Sequence, residues 1–286
     1  MSRARPSAPR AARHISGSAH VLLLDIGNSR LKWALLREPY RRGQRFRARG
    51  TLDLARLGGS GAALQRLFAR LTPLSGIEVC NVAGVRMRRH ILGAAHRARA
   101  PRPHFARSAH AAGGVRNAYP QPWRLGVDRW AAMIGAHHEH PGRALCVVAV
   151  GTAMTIDLID AHGRHQGGNI IPSPRLMIES LLERTAGIRR RAGGRSAAAA
   201  LRARRVPLFA RDTRRAVTAG AAHAAAALIG EAVRAARAPL GRTPRLLLSG
   251  GGADAIAPLL DFPYRREHEL ALRGLAVLRS ERLQIA

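Results

Sequence analysis

Lysine, acidic residues and cysteine are all scarce in this chain of 286 residues. Lys32 is the only lysine, and 48 basic residues face 17 acidic ones, for a formal net charge of +31. This charge has two readings: an electrostatic footprint for nucleic acid or another anionic surface, or GC-rich codon usage that favours arginine, alanine and glycine. The arginines are spread over the whole length. We therefore favour codon usage, expect no nucleic-acid partner, and regard binding of small anions as a secondary benefit.

Cysteine is limited to Cys80 and Cys146, and both lie in short apolar runs. Two buried thiols form neither a disulfide framework nor a four-ligand metal site, so we expect a reducing compartment. No apolar run approaches the roughly 20 residues that span a bilayer. Residues 1–20 lack the apolar core of a signal peptide, and we interpret them as a disordered tail or a mis-assigned start. The sequence predicts a cytoplasmic protein without a membrane partner.

The first stretch with chemical content is residues 21–36, where two apolar runs flank a Gly-Asn-Ser corner. This pattern predicts a tight β-hairpin. Asp25 could hold a hydrated divalent metal at the end of a buried strand, and Gly27 allows a ligand to approach the backbone closely. Asn28, Ser29 and Lys32 add hydrogen-bond donors and a positive charge, which suits a metal–phosphate group. An ordinary hairpin with Asp-Gly-Asn turn chemistry is the alternative.

Residues 145–160 repeat the design of the first hairpin. A buried strand meets a Gly-Thr-Ala corner, and an alternating strand returns. Gly151, Thr152 and Thr155 would be a second set of phosphate donors, whereas a threonine-rich edge hairpin is the alternative. Two hairpins of one design, each at the start of a βαβ-like half, predict an internally duplicated α/β fold.

Alternating strands and helices elsewhere also indicate an α/β architecture. Apolar spacing predicts one helix over residues 52–71, a strand over 76–84, a helix over 86–99, a helix opened by 167–172 that runs on to 182, a helix from Thr213 and a final helix over 267–283. The helix after Thr213 is apolar nearly all round, which suits a core or a subunit interface. Residues 189–205 are low in complexity and are interpreted as a solvated loop with an alanine helix, with an RNA-binding arm as the alternative.

The second stretch with chemical content is residues 118–136. Two prolines fix an extended loop, and Gly126 permits a turn before a helix that starts near Asp128. A lone aspartate before a helix is most often a structural N-cap. Together, however, Tyr119, Gly126, Asp128 and Arg129 suggest an aromatic wall, an open turn, a carboxylate and a guanidinium that converge on one cleft.

Three histidines, His137, His138 and His140, follow at the end of this predicted helix. Their spacing is not that of a zinc-protease helix. We expect solvated side chains that complement the helix dipole, and no metal site.

Five segments, DIGNSRLK, YPQPWRLGVDRW, VGTAMTID, GGNIIP and SGGGADA, resemble those of type III pantothenate kinases, in the same order and over roughly residues 21–280. The resemblance implies the duplicated actin-like ATPase fold, with α/β domains over residues 21–127 and 128–286 and the active site in the cleft between them. It implies ATP-dependent phosphorylation of pantothenate, the first step of coenzyme A biosynthesis, by a homodimer. The same family includes Bvg accessory factor proteins, so a transcriptional accessory protein that uses the fold as a binding module is the alternative.

The resemblance also implies roles for individual residues. Asp128 would be the general base, and Asp25 would position magnesium. The first phosphate loop would comprise Asp25, Ile26, Gly27, Asn28, Ser29, Arg30, Leu31 and Lys32. Gly151, Thr152 and Thr155 of the second loop would contact ATP. Pantothenate would be bound by Tyr119, Gly126, Val127, Asp128, Arg129 and Thr213.

Two positions depart from the family pattern. The aspartate that usually holds a monovalent cation is Ala149 here, so we expect only a weak response to potassium or ammonium. The glycine that usually follows Ile-x-Pro is Ser173, which changes the geometry of that turn.

Overall fold

The computed structural model describes residues 20–56, 61–71, 73–192 and 207–285. Its strands are β1 His20–Ile26, β2 Arg30–Arg37, β3 Ala48–Asp53, β4 Gly76–Asn81, β5 His104–Phe105, β6 Ala111–Ala112, β7 Val115–Arg116, β8 Leu145–Val150, β9 Ala153–Ile159, β10 His165–Pro172, β11 Arg245–Ser249 and β12 Tyr264–Arg266. Its α-helices are α1 Ala62–Leu71, α2 Gly84–Arg97, α3 Val127–Glu139, α4 Pro174–Arg184, α5 Ala186–Arg191, α6 Thr213–Ala235, α7 Arg237–Leu240 and α8 Leu270–Ile285. Short 3-10 turns are Leu54–Arg56, Pro122–Arg124, Ala253–Ala255 and Ala257–Leu259.

Two five-stranded sheets have the same topology. The first sheet has the order β3-β2-β1-β4-β5, and the second has the order β10-β9-β8-β11-β12. On one side of each sheet, in β3-β2-β1 and in β10-β9-β8, every strand is antiparallel to its neighbour. On the other side, β4 and β5 are parallel to the central strand β1, and β11 and β12 are parallel to the central strand β8. The internal duplication predicted from the two hairpins is therefore present in the backbone.

The first sheet is covered on both faces, which explains why β1 is apolar on both faces from Val21 to Leu24. Successive side chains of a strand point to opposite faces. Leu22, Leu24 and Ile26 pack against helices α1 and α2. Val21 and Leu23 pack against residues of α8. The last helix of the chain thus completes the core of the first sheet.

Helices α3 and α8 lie side by side and pack against the second sheet through Trp130 and Leu270. Glycine allows their backbones to touch: a Cβ on Gly135 would lie 2.2 Å from the carbonyl oxygen of Leu270, and one on Gly274 would lie 1.8 Å from that of Ala131. Because α8 also packs on the first sheet, this helix pair joins the two halves. The domain boundary between residues 127 and 128 stays a prediction.

Helix α6 packs on the other face of the second sheet, where Ala225, Ile229 and Val233 are buried among residues of β8, β9 and β11. The segment 213–240 is also long and apolar enough to cross a membrane by length and composition, although half of its most apolar window is buried. A buried core helix passes the same test, so this is weak evidence for a membrane span.

Several predicted boundaries are wrong. Residues 52–71 are not one helix, because residues 48–53 pair with β2, residues 54–56 form a 3-10 turn, and the described α-helix spans residues 62–71. Residues 167–172 are not the start of a helix but part of strand β10, which pairs with β9. Helix α4 begins after them, and its N-cap Ser173 accepts a hydrogen bond from the backbone N–H of Leu176 at 3.3 Å. Serine at this position therefore serves as a helix cap with an extended backbone.

The histidines at the end of α3 are not solvated as predicted. His140 is 6% exposed, and its Nε2 lies 2.9 Å from Oε1 of Glu267. Burial lowers the pKa of His137 and of His138. Within the described residues, no group of three His, Cys, Asp or Glu side chains is placed to hold a metal ion. The predicted tail before His20 and most of the low-complexity segment 189–205 lie outside the described residues.

Candidate active site

The corners of the two hairpins face each other. The hydroxyl oxygens of Ser29 and Thr152 lie 3.0 Å apart, so a hydrogen bond links the first loop to the second. Each corner closes in the same way: the N–H of Gly27 donates to the carbonyl of Arg30 at 3.0 Å, and the N–H of Gly151 donates to that of Ala153 at 2.9 Å. The two predicted phosphate loops are therefore brought together across one cleft.

Asp25 lies at the carboxyl end of β1, directly beneath the first corner. Its side chain is 16% exposed, and its Oδ2 lies 4.0 Å from Nζ of Lys32. Burial raises the pKa of Asp25 to about 6, Lys32 opposes this rise, and the negative charge of Asp128 adds to it. Lys32 at 4.0 Å neutralises this partly buried carboxylate only in part. A second positive charge near Asp25 would therefore stabilise its ionised form further.

Asp128 lies close to this first loop, although 103 positions separate it from Asp25 in the sequence. It is the second residue of α3, and Gly126 is the N-cap, so Asp128 is not the cap itself. Its Oδ1 accepts a hydrogen bond from the N–H of Arg129 at 2.9 Å. Burial is the main cause of the raised pKa of Asp25 and of the thiol of Cys80, and the negative charge of Asp128 adds a smaller contribution to both. A carboxylate from the second stretch therefore acts electrostatically on the first loop.

Gly126 leaves room for this carboxylate. A Cβ at residue 126 would lie 2.6 Å from Oδ1 of Asp128, so the carboxylate would have to move. The glycine predicted to permit a turn thus allows the side chain of Asp128 to take this position.

Arg129 points away from Asp128 into a buried ion pair. Its Nε and Nη2 donate to the two carboxylate oxygens of Asp157 at 3.0 and 2.6 Å, and its Nη1 donates to the hydroxyl of Tyr119 at 3.1 Å. Arg129 is 5% exposed and Asp157 is 2% exposed. The hydrogen bonds with Asp157 raise the pKa of Arg129 against the opposing effect of burial. A bidentate pair of this kind fixes the guanidinium plane beside Tyr119.

Asp157 and His165 complete this network, and the sequence interpretation assigned neither of them a role. The Nε2 atom of His165 lies 3.2 Å from Oδ1 of Asp157, and its ring stacks on that of Tyr119 with centroids 6.0 Å apart. Its Nδ1 is buried and has no hydrogen-bond partner. A Cβ at Gly168 would lie 2.6 Å from Oδ1 of Asp157, which accounts for a glycine there. A buried charge in an apolar strand requires a charged or hydrogen-bonding partner. The position of Asp157 in such a strand could therefore have indicated a buried ion pair.

A third segment reaches the cleft from the end of β11. A Cβ at Gly251 would lie 3.6 Å from Nη1 of Arg30, so the exposed guanidinium of the first loop lies near the glycine turn. Arg266 holds this turn by donating from Nη2 to the carbonyl of Gly250 at 2.7 Å. The glycine turn of the SGGGADA segment therefore lies next to Arg30 of the first predicted phosphate loop.

Other predicted site residues contribute through their backbone or lie elsewhere. Ile26 and Leu31 are fully buried in the first core, and Val127 packs on the core around α8. Only their main-chain groups can face a ligand in this arrangement. Thr213 is the first residue of α6 and follows its N-cap Asp212. Asn28 and Gly151 are exposed at the corners.

Carboxylates lie beside the phosphate loops, whereas residue 149 offers no charged side chain. Asp25 and Asp128 supply two carboxylates beside the phosphate loops, and magnesium is usually held by one or two carboxylates together with substrate phosphates. Ala149 lies directly opposite Thr155 on β9 and Ser249 on β11, so only neutral hydroxyls flank it in register.

Solved structures with the same fold include the activator of 2-hydroxyisocaproyl-CoA dehydratase from Clostridium difficile with bound ADPNP. It is 13% identical with a TM-score of 0.51, and the match covers 93% of this chain and 97% of that one. A putative 2-dehydro-3-deoxygalactonokinase from Sinorhizobium meliloti is 15% identical with a TM-score of 0.52, and the match covers 93% and 99%. These likenesses concern the fold alone, and they confirm the predicted duplicated actin-like ATPase fold.

Sequence relatives are more specific. The family profile described as type III pantothenate kinase matches residues 21–235. The type III pantothenate kinase of Paraburkholderia xenovorans is 38% identical over 277 residues, which cover 94% of this chain and 98% of that protein. That of Paracidovorax citrulli is 35% identical over 270 residues, covering 92% and 99%. These relatives are named as kinases, and nothing in them supports the transcriptional alternative. The chain belongs to the type III pantothenate kinase family.

Proposed function

We propose that this enzyme transfers the γ-phosphoryl group of ATP to the primary hydroxyl of pantothenate and forms 4'-phosphopantothenate. The observation that carries the proposal is the meeting of three segments: the linked corners at Ser29 and Thr152, and the carboxylate of Asp128 beside Asp25. Phosphoryl transfer requires mainly positioning and charge stabilisation, and this cleft has groups for both.

Asp128 accepts the hydroxyl proton as the alcohol oxygen attacks phosphorus. Backbone N–H groups of residues 27–29 and 151–152, with the hydroxyls of Ser29 and Thr152, bind the phosphates. Lys32 and Arg30 supply positive charge at the first loop. Arg129, fixed by Asp157, and Tyr119 bind and orient the acceptor. These roles rest on the geometry of the cleft and on the resemblance in sequence.

Magnesium would be held by Asp25, with Asp128 close by, and would neutralise charge on the phosphate oxygens when bound. The raised pKa of Asp25 supports this assignment, because a buried carboxylate near a second one is stabilised by a cation. Ala149 supplies no side-chain ligand for a potassium or ammonium ion at the position where the resemblance implies an aspartate. We infer that this enzyme works without a resident monovalent cation.

The active enzyme is proposed to be a cytoplasmic homodimer. Large apolar side chains are exposed at Ile170 on the edge strand β10 (61%) and at Leu208 and Phe209 just before α6 (61% and 87%). Such side chains suit burial against a second copy. The two cysteines are free and buried, which suits a reducing compartment. Light scattering of the purified protein tests the dimer.

An acceptor screen with purified full-length protein tests the proposed reaction. The protein is incubated with ATP, magnesium and either pantothenate, a hexose or acetate, and the phosphorylated products are identified by mass spectrometry. We expect 4'-phosphopantothenate and ADP in equal amounts. Phosphorylation of the hexose or acetate in place of pantothenate would overturn the substrate assignment, and ATP hydrolysis alone would overturn the kinase mechanism.

A further inference from the structure

A second concavity lies outside the cleft. It has a volume of about 550 Å³ and is formed by the β6–β7 hairpin, the turn before β10 and the end of α8. We call it the basic pocket, and its polar and backbone lining is Gly114, Arg116, His162, Arg164 and Glu281.

The basic pocket lies at the opposite end of the second sheet from the phosphate loops. Arg164 precedes β10, whose first residue His165 is aligned with Ile159 and, across β9, with Leu145 at the start of β8. The second phosphate loop follows the other end of β8. Six strand residues at about 3.3 Å each separate the two ends by roughly 20 Å. The pocket is therefore not a part of the nucleotide cleft.

Backbone contacts hold the shape of the basic pocket. The N–H of Arg116 donates to the carbonyl of Gly163 at 2.9 Å, and Arg116 pairs with Arg164 as a parallel bridge. A Cβ at Gly163 would lie 2.0 Å from the carbonyl oxygen of Gly114, so the two turns are in direct contact. Both glycines have positive φ values, which other residues rarely adopt. The two arginines thus project from neighbouring, fixed positions.

The acidic groups nearby are already engaged with the backbone. Oδ1 of Asp160 accepts hydrogen bonds from the N–H groups of His162 and Arg164, both at 2.8 Å. Oε2 of Glu281 accepts one from the N–H of Gly113 at 2.9 Å. Among the described residues, no carboxylate forms an ion pair with Arg116 or Arg164. Two guanidinium groups without a carboxylate partner therefore line one concave surface.

We propose that the basic pocket is a second binding site for a small phosphate-bearing anion. Planar guanidinium groups bind phosphate oxygens through paired, charge-assisted hydrogen bonds. Two arginines line this pocket from neighbouring backbone positions. His162 adds a donor at the rim. Ala112 supplies an apolar contact for a short carbon chain attached to the phosphate.

Titration of the ¹⁵N-labelled full-length protein with inorganic pyrophosphate, followed by backbone amide NMR, tests the proposal. We expect saturable shifts at Gly114 and Gly163 in addition to shifts at Gly27 and Gly151 in the cleft. Arg116→Ala/Arg164→Ala should weaken binding at the pocket by at least about tenfold, because two charge-assisted interactions are lost. The shifts of Gly27 and Gly151 should persist in that variant as an internal control.

Arg237→Ala/Arg242→Ala is the matched control, since it removes two exposed charges from the region of α7. It should leave binding at the pocket unchanged. Equal weakening in both double variants would show attraction to the overall charge and would overturn the proposal, as would unshifted Gly114 and Gly163 amides in the unmodified protein. If the first variant does not fold, Glu281→Gln provides the test. Loss of one negative charge from the lining should tighten pyrophosphate binding at the pocket, and an unchanged affinity would contradict the proposal.

Discussion

The two halves of the molecule have the same strand order but differ in charge at their corners. The first corner carries Asp25, Arg30 and Lys32, whereas the second carries Thr152 and Thr155 and has Ala149 where the family usually has aspartate. In both corners the glycine N–H donates to the carbonyl of the first residue of the returning strand. Duplication of the backbone thus provides two similar phosphate-binding corners, while the charged groups are concentrated in one of them.

This difference suggests a division of labour. The charged first corner, together with Asp128, would stabilise the transferring phosphoryl group, and the neutral second corner would position the nucleotide. Charge stabilisation contributes more to phosphoryl transfer than a single neutral hydrogen bond does. Variants in the two halves should therefore have unequal effects.

Asp25→Asn should have the largest effect among variants at the two corners. Loss of the carboxylate removes the proposed magnesium ligand, and kcat/KM should fall by about 10²–10⁴-fold because metal stabilisation amounts to several kcal/mol. Thr152→Ala, the counterpart in the second half, removes one neutral hydrogen bond and should lower kcat/KM by only about 2–10-fold. Steady-state kinetics of both variants measures the difference. A loss at Thr152 as large as that at Asp25 would contradict the division of labour.

Asp157→Ala tests the buried pair of the second half. It leaves the guanidinium of Arg129 buried without its partner, so the free energy of unfolding should fall by about 3–5 kcal/mol. The matched control is Asp254→Ala, which breaks an ion pair with Arg266 whose carboxylate is 84% exposed and should cost about 0–1 kcal/mol. Urea denaturation of both variants checks the prediction. Equal losses would mean that Asp157 does not hold Arg129 in place.

Ala149→Asp makes the second corner resemble the usual family pattern. In the unmodified enzyme, potassium and sodium should support the same rate at equal ionic strength, because Ala149 offers no ligand. In the variant, a carboxylate next to Thr155 should create a response specific to potassium. Rate measurements in the two chloride salts give the answer, and a strict potassium requirement of the unmodified enzyme would show that another group holds the cation.

The half-buried histidines of α3 should give the smallest effect, on stability against pH. Burial lowers the pKa of His137 and of His138 in the folded state, so below about pH 6.5 the unfolded chain binds more protons. The contribution of these two neutral histidines to the free energy of unfolding is therefore full above that pH and is lost as the pH falls. Thermal unfolding between pH 7.5 and 5.5 should show a smaller fall for His137→Gln/His138→Gln than for the unmodified protein. His96→Gln, at an exposed position of α2, is the control and should behave like the unmodified protein.

Local sequence patterns predicted the parts of the fold that depend on local chemistry. The apolar runs around Gly27 and Gly151 predicted both hairpins, and their repetition predicted the duplication. The strand at residues 48–53 was missed because, of its three half-buried positions, only Leu52 carries a large apolar side chain. The pairing of Arg129 with Asp157, 28 positions apart, and the close crossing of α3 and α8 at Gly135 depend on tertiary contacts.

The same distinction applies to the site. Asp25 and Asp128 were both found by their position at corners and helix starts, but their mutual electrostatic effect arises only in the fold. His165 was missed because a single histidine in a strand carries no motif. Its contacts with Asp157 and Tyr119 come from three separate segments.

The turnover of Asp128→Asn tests the central claim most directly. The amide is similar in size but cannot accept the proton of the pantothenate hydroxyl, and general-base catalysis typically contributes about 10²–10⁴-fold in rate. We predict that kcat falls by that factor while the affinity for ATP, measured by calorimetry, is retained. Near-normal turnover of the variant would contradict the role of Asp128 and, with it, the mechanism proposed for this cleft.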